Sequence, residues 1–206
     1  AYFAIGKTHT VCQDYARAGH SMGICERTFA VLSDGCSSSP DTDIGARLLV
    51  LAAERWICSI IGPDMSTAKR LAFIMEDASR AARFANVTQR SLDATLLCAH
   101  GSTSQGREGI AVSLQGDGVV AARHRNGATY VHVAEHVQGA PNYPSYMLDH
   151  DRRERYEATY GTELQQRSIT QGEDMDWPED LGVCDWFFPA SDWDLILLMS
   201  DGVQSF

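Results

Sequence analysis

Three aspartates that each follow an apolar run are the residues of this sequence best suited to chemistry. Asp34 ends the stretch FAVLSDG at 29–35, and Asp201 ends the similar stretch LILLMSDG at 195–202. Asp117 lies in the sequence GDG, after the apolar run 110–114. Short apolar runs bounded by turn residues are typical of buried strands, and glycine lets the chain turn sharply after each of them. Strands that end in this way can bring their carboxylates to one sheet edge.

Carboxylates gathered at one edge repel each other unless cations lie between them. Hard divalent cations such as Mg²⁺ and Mn²⁺ bind carboxylates, backbone carbonyls and water. Asp34, the Gly35 carbonyl and Asp201 supply such ligands. Two cations sharing a carboxylate lower the pKa of a water held between them and neutralise a phosphoryl group. The simpler alternative, that Asp-Gly only ends strands in turns, stays open at this point.

The composition is that of a soluble globular protein. The chain has 206 residues, of which 44% are hydrophobic and 21% charged, and its net charge is −10. It has no block rich in lysine and arginine, so a nucleic-acid backbone or an anionic membrane surface is not the expected partner. An acidic protein that handles a phosphorylated substrate needs local cations, which again favours bound metal.

The cysteines indicate a reducing compartment. They are Cys12, Cys25, Cys36, Cys58, Cys98 and Cys184. None forms a CxxC pair and several lie in apolar runs, which argues against a disulfide framework or a zinc site. The first residues show no basic region followed by an apolar core, and no apolar stretch reaches membrane-spanning length. We expect a cytoplasmic protein.

The elements that must position the aspartates follow from periodicity. The opening residues predict a strand, a glycine turn and a polar segment that ends at Gln13-Asp14. A strand over 28–33 leads into Asp34, and a helix over about 44–61 follows, capped by Asp41, Thr42 or Asp43. An amphipathic helix is predicted over 67–86, then hairpins from 93 to 136. Residues 141–190 predict loops with one short helix near 148–156, and 193–199 a buried strand.

A succession of hairpins with segregated helices indicates the α+β class. Two antiparallel sheets packed face to face and covered by helices would explain why several strands are continuously apolar. We therefore predict a single domain over 1–206 with helices flanking two sheets.

Six pieces of the chain resemble the metal-dependent protein phosphatases of type 2C, in particular a bacterial branch of that family. They are GKTHTVCQDY, AVLSDG, TDIGARLL, DATLLCAH, GDGVVAARHRNG and LILLMSDG, in the family's order. The resemblance implies a four-layer α/β/β/α sandwich and hydrolysis of phosphomonoesters. It also implies two catalytic Mn²⁺ or Mg²⁺ ions and a third, weaker one.

The resemblance also implies roles for single residues. Asp34 would bridge the two catalytic ions, and the Gly35 carbonyl would bind one of them. Asp201 would bind the second ion, and with Asp117 it would hold the third. Asp14 would act on the metals directly or through water. His9 stands where many relatives have an arginine that binds the substrate phosphate.

Three features depart from the family's pattern. Gln13 replaces a common glutamate with a neutral amide. Cys36 follows Asp34-Gly35 where some relatives have a histidine proposed as general acid; without nearby cations its thiol is not expected to be a nucleophile. The family continues past Asp201-Gly202 to another metal-binding aspartate, so we expect the domain to lack its C-terminal part.

The function expected from the sequence is that of a serine/threonine phosphoprotein phosphatase. Its partners would be phosphorylated proteins and a cognate Ser/Thr kinase. Two alternatives stay open. Gln13 and the missing terminal aspartate favour a pseudophosphatase that acts as a regulatory binding module. The same fold could also act on small phosphoesters or on a partner-switching regulator.

Overall fold

The computed structural model describes residues 11–21, 26–59, 66–161, 164–171, 178–182 and 184–202, and the structural statements below concern these residues. In chain order their strands and α-helices are β1 (Tyr15–Ser21), β2 (Arg27–Ser33), α1 (Thr42–Ile57), α2 (Thr67–Phe84), β3 (Leu96–Ser104), β4 (Arg107–Gln115), β5 (Gly118–His124), β6 (Thr129–His136), α3 (His150–Tyr160), β7 (Leu164–Gln171), β8 (Glu179–Gly182), β9 (Asp185–Pro189) and β10 (Trp193–Met199). Short 3-10 turns lie at Gln89–Leu92, Val137–Gly139 and Pro144–Leu148.

The strands form two antiparallel sheets. Six strands pair in the order β1-β2-β3-β4-β9-β8, and four pair in the order β10-β5-β6-β7. The chain crosses from the larger sheet to the smaller one at 116–118, between β4 and β5. The predicted hairpins are present as β3–β4 and β5–β6. The predicted α+β class with two antiparallel sheets is confirmed.

The first part of the core lies between the larger sheet and helices α1 and α2. Helix α1 packs on α2 and on strands β1, β2 and β3. Its face toward the sheet is fully buried, with Leu49 at 0% and Trp56 at 1% exposure. Gly45 lets α1 rest directly on the turn Gln89–Leu92, because an added Cβ would lie 1.6 Å from the Ser91 carbonyl oxygen. This contact places the N-terminal end of α1 beside the segment that leads into β3.

The second part of the core lies between the two sheets and is rich in aromatic rings. Phe188 of β9 and Trp193 of β10 meet edge to face with ring centroids 5.2 Å apart. Tyr130 of β6 contacts both rings. On the other face of the smaller sheet, Ile169, Leu195 and Leu197 remain exposed. The strand at 193–199 is present, but the prediction that it is buried is wrong, because only one of its faces packs on the core. The aromatic layer fixes how the two sheets stack and so where their edges meet.

The sequence misassigned most of the segment 141–190. It contains not only a helix but three strands, β7, β8 and β9. Strand β9 has the sequence DWFFP and is buried on both faces, so it shows no alternation. Strand β7 is mostly polar, and β8 has only four residues. The sequence also predicted no strand between Asp14 and Thr28, where Tyr15–Ser21 pairs as an edge strand with β2.

The helices are placed well, although their ends differ from the prediction. Helix α1 begins at Thr42 after the N-cap residue Asp41 and ends at Ile57, four residues before the predicted 61. Helix α3 spans His150–Tyr160 where a helix near 148–156 was expected. In the described segments, no helix combines the length and the apolar character needed to span a membrane.

Candidate active site

The acidic residues singled out by the sequence lie at strand ends in both sheets. Asp34 follows β2 of the larger sheet directly, and Asp14 immediately precedes β1, the partner of β2. Asp201 comes two residues after β10 of the smaller sheet. Asp117 lies in the crossing between the sheets. Stacking the two sheets brings these strand ends to one edge of the sandwich.

The carboxyl group of Asp34 lies at the centre of this group. Burial raises its pKa well above the ordinary value, and hydrogen bonds and charge repulsion from Asp14 and Asp201 raise it further. Carboxyls that share a site cannot all ionise freely, because like charges disfavour each other. Asp34 is therefore in contact with one carboxyl from its own sheet and one from the opposite sheet.

Asp117 extends the cluster from the other side of Asp201. Burial raises the pKa of Asp117 to about 6, with further contributions from the charges of Asp201 and Glu135. Asp201 thus interacts with both Asp34 and Asp117. The structure brings together Asp14, Asp34, Asp117 and Asp201, although they are widely separated in the sequence.

Backbone hydrogen bonds fix the direction in which Asp34 leaves its strand. The Thr95 amide donates to the Asp34 carbonyl at 2.8 Å, and the Asp34 amide donates to Thr95 Oγ1 at 3.1 Å. The buried Ser33 hydroxyl donates to the Thr95 carbonyl at 2.6 Å. These bonds hold Asp34 against the entry to β3, and the next residue is tied to the segment before β1 by the bond from the Gly35 amide to the Gln13 carbonyl at 3.3 Å.

Close packing explains why glycine follows Asp34. A Cβ at Gly35 would lie 2.9 Å from the Cβ and from the carbonyl oxygen of Thr42, and 3.0 Å from the Gln13 carbonyl oxygen. Real Cβ atoms are hardly ever this close to backbone atoms, so a side chain here would push α1 away from β2. Gly35 therefore sets the distance between the carboxylate edge and the start of α1.

Glycines also place Asp117. Gly116 and Gly118 have φ values of 94° and 144°, which disfavour residues with side chains. A Cβ at Gly118 would lie 3.1 Å from the Met199 carbonyl oxygen at the end of β10. The crossing can therefore approach β10 closely, which puts Asp117 beside Asp201.

The donor set fits a hard divalent cation. It consists of carboxyl oxygens, which in their ionised form are the ligands that Mg²⁺ and Mn²⁺ prefer. Across the described ranges, no three His, Cys, Asp or Glu side chains are already arranged around a common metal position. The contacts of Asp34 are instead carboxyl-to-carboxyl hydrogen bonds. Such contacts need a shared proton, so a cation binding here would have to displace it.

Gln13 faces away from the acidic cluster. Its side-chain amide donates to Thr42 Oγ1 at 2.9 Å, and Thr42 Oγ1 donates to the Cys36 carbonyl at 3.0 Å. Side chains alternate along a strand, so Gln13 points toward α1 while its neighbour Asp14 reaches Asp34. His9 lies outside the described residues, and its predicted contact with phosphate stays a prediction.

Cys36 lies beside the cluster among hydroxyl groups. Burial alone would raise the pKa of its thiol, but hydrogen bonds from Ser38, Tyr143 and Ser39 outweigh this effect and lower the pKa below its ordinary value. The Ser38 hydroxyl lies 3.1 Å from the Cys36 sulfur. The groups that lower the pKa of Cys36 are these hydroxyls and the backbone of Ser38.

A buried carboxylate near the site was not identified from the sequence. Asp93 is 2% exposed and accepts hydrogen bonds from Ser39, Ser145 and Arg152. Its position just before a buried strand gives a weak signal. Nothing in the polar sequence of α3 marks Arg152, because charged residues surround it on both sides.

Comparisons with known proteins agree with this fold. The family model described as "Protein phosphatase 2C" matches residues 6–206. The fold is similar to the crystal structure of a bacterial serine phosphatase, with a TM-score of 0.51 at 10% identity over 100% of this chain and 78% of that chain. A variant of a bacterial serine phosphatase with an arginine-to-lysine substitution matches with the same TM-score and coverage at 9% identity. None of the curated proteins matches the chain.

Proposed function

Because this chain belongs to the protein phosphatase 2C family, we propose that it is a metal-dependent phosphatase of phosphoserine and phosphothreonine proteins. The observation that carries the proposal is the contact of Asp34 with both Asp14 and Asp201. Strand ends from two sheets have no structural need to gather carboxyls against each other. A divalent cation would explain the arrangement, because carboxylates that coordinate the same cation no longer repel each other.

Each acidic residue has a distinct place in the proposed site. Asp34 would bridge two ions, with the Gly35 carbonyl on one of them and Asp201 on the other. Asp117 and Asp201 would hold a third ion, and Asp14 would support the site directly or through water. When bound, Mn²⁺ or Mg²⁺ supplies the Lewis acidity that activates water and offsets the charge of the phosphoryl group.

Protons accompany cation binding at this site. Asp34 keeps its proton at neutral pH while it is crowded by other carboxyls, and it must lose that proton to act as a ligand. Gln13 is not needed for this step, because its amide is bound to Thr42. The replacement of a glutamate by Gln13 therefore leaves the four clustered aspartates able to act.

The proposed substrate is a phosphorylated protein, and the proposed counterpart is a Ser/Thr kinase. One relative in fold is described as a serine phosphatase, which agrees with this choice of residue. His9 would bind the substrate phosphate, and as a histidine it would do so only when protonated. We place the protein in the cytoplasm, because the five cysteines in the described ranges are all free thiols.

Activity measurements test the proposal directly. The chain should hydrolyse a phosphothreonine peptide with Mn²⁺ and lose that activity in excess chelator. Asp34→Ala should reduce the rate by about 100-fold or more, because it removes the shared ligand. Asp151→Ala is the matched control, since Asp151 is an exposed carboxylate in the first turn of α3. Full activity of Asp34→Ala, or of the wild type in chelator, contradicts the proposal.

The rival function, a pseudophosphatase, gives a different result in the same assay. A wild-type chain with no manganese-dependent turnover of peptides or small phosphoesters would favour a binding module. Faster turnover of small phosphoesters than of any phosphopeptide would favour the third function considered above.

A further inference from the structure

One buried carboxylate joins three parts of the chain around the candidate site. The Asp93 side chain accepts hydrogen bonds from Ser39 Oγ at 2.7 Å, Ser145 Oγ at 2.7 Å and Arg152 Nη2 at 2.9 Å. Its carbonyl accepts from the Cys36 amide at 2.8 Å. Ser39 and Cys36 belong to the loop after Asp34-Gly35, whereas Ser145 and Arg152 belong to the segment after β6.

The charges in this contact are shielded from water. The Asp93 side chain is 3% exposed and the Arg152 side chain is 19% exposed. An ion pair of this kind is strongly coupled, since removing one partner leaves the other charge buried and uncompensated. Arg152 also lies over the Tyr146 ring, with its guanidinium carbon 4.8 Å from the ring centroid. The ion pair therefore fixes both α3 and the turn that precedes it.

Tyrosines of the fixed segment stand next to the acidic cluster. Tyr143 is hydrogen-bonded to the Cys36 thiol. Burial is the main cause of the raised pKa of Tyr143, and the charge of nearby Asp117 adds to it. Rings of Tyr143, Tyr146 and Tyr156 follow one another with centroids 5.9 and 5.0 Å apart. We call residues 143–156 the tyrosine wall. It borders the site on the side where Cys36 and Asp117 lie.

We infer that Asp93 and Arg152 are positioning residues that hold the tyrosine wall, so that its partly exposed Tyr143 and Tyr146 can contact the protein part of the substrate. The inference rests on the proposed function and adds the residues that favour phosphoproteins over small phosphoesters. A small ester needs only the acidic cluster. A phosphopeptide also extends along the neighbouring surface, and binding energy from such remote contacts aligns the reacting group.

Substitution of Arg152 tests the inference, with the next residue as control. Arg152→Gln removes the charge but leaves the α3 N-cap intact, because that cap joins Asp149 to the backbone amide of residue 152. Arg153→Gln is the matched control, since Arg153 is 58% exposed and, among the residues that the structure describes, forms its ion pair with Glu157 of its own helix. The readout is kcat/KM for a phosphothreonine peptide and for para-nitrophenyl phosphate, with Mn²⁺ in excess.

Arg152→Gln should lower kcat/KM for the peptide by about tenfold or more and change that for the small ester by less than about twofold. Arg152→Lys should recover part of the loss, because it keeps the charge. Arg153→Gln should behave as the wild type on both substrates. Equal losses of kcat/KM on both substrates would show a purely structural role and overturn the inference. No loss on either substrate would overturn it too.

A milder variant covers the case in which Arg152→Gln does not fold. Ser145→Ala removes one buried hydrogen bond to Asp93 and leaves the ion pair in place. It should shift the ratio of the two kcat/KM values in the same direction by about threefold. No shift in a folded Ser145→Ala overturns the inference. If the wild type is inactive on both substrates, the proposed function is overturned and the inference with it. If the wild type is active but the variants leave the ratio of the two kcat/KM values unchanged, the inference alone is overturned.

Discussion

Asp34 follows a strand of the larger sheet and hydrogen-bonds to Asp201, which follows a strand of the smaller sheet. The contact links the two halves of the sandwich at the edge where the chain also crosses between them. Crowded carboxyls of this kind weaken the metal-free protein, because burial and repulsion both disfavour their ionised forms. The same crowding prepares the site for divalent cations. The first two predictions follow from this opposition.

Asp34→Asn should stabilise the metal-free protein near neutral pH. The substitution removes a buried, repelled carboxyl while keeping its size. We expect the melting temperature in chelator to rise by a few degrees, which corresponds to about 1 kcal/mol for a chain of this length. Thermal unfolding followed by circular dichroism measures the shift. Asp151→Asn, at an exposed position, should leave it unchanged, and a lower melting temperature for Asp34→Asn would contradict the account.

Asp117→Asn should stabilise the metal-free protein more as the pH rises. Burial raises the pKa of Asp117 from 3.8 to about 6, so the folded state binds more protons than the unfolded state between these values. The contribution of Asp117 to stability is complete below that window and falls as the pH rises through it, by roughly 1–3 kcal/mol. The difference in stability between Asp117→Asn and the wild type should therefore grow as the pH rises through this window.

Comparison with the variant is necessary because buried histidines act in the opposite sense. Burial lowers the pKa of His100 to about 4, so its contribution to stability rises with pH. This effect is common to both proteins and cancels in the difference of their melting temperatures in chelator. A difference that is constant with pH would show that Asp117 titrates normally.

Gly35→Ala should destabilise the protein and reduce its affinity for metal. The new Cβ would meet Thr42 at 2.9 Å, and relief of such overpacking costs roughly 1–3 kcal/mol. The shift separates α1 from β2 and moves Asp34 with it. Chemical denaturation and Mn²⁺ titration measure the two effects. Gly101→Ala is the control, since its Cβ would have only ordinary contacts at 3.8 Å from Thr28.

Cys36→Ser should retain the phosphatase activity within about tenfold. The substitution preserves a hydroxyl partner for Ser38 and Tyr143, and the proposed hydrolysis requires no thiol nucleophile. Steady-state rates on a phosphothreonine peptide check this outcome. Loss of all activity, together with a phosphocysteine detected by mass spectrometry in the wild type, would indicate a covalent mechanism instead.

The sequence predicted the acidic cluster because its signals are local. Asp34 and Asp201 each follow an apolar run and precede a glycine, and such a run marks its own strand. Close packing explains why glycine follows Asp34, since a Cβ at Gly35 would be too close to Thr42. The roles of these residues as metal ligands stay predictions, and that of His9 lies outside the described residues.

Features that depend on distant pairing could not be predicted in this way. The Gln13 side chain points toward α1 because side chains alternate along the segment that leads into β1. The sequence did not predict β1, so it could not predict this orientation. The ion pair of Asp93 with Arg152 joins residues from separate segments, and neither has an unusual local pattern. Strand β9 was missed because a short strand buried on both faces has no period of its own. Tertiary contacts determine all three.

Direct measurement of cation binding tests the central claim that Asp34 and its neighbours form one metal site. Mn²⁺ is titrated by calorimetry into the wild type, Asp34→Ala and Asp151→Ala, in two buffers that differ in ionisation enthalpy. We predict that the wild type and Asp151→Ala bind Mn²⁺ with release of protons, and that Asp34→Ala loses this binding. Equal binding by Asp34→Ala, or no binding by the wild type up to millimolar Mn²⁺, would contradict the account.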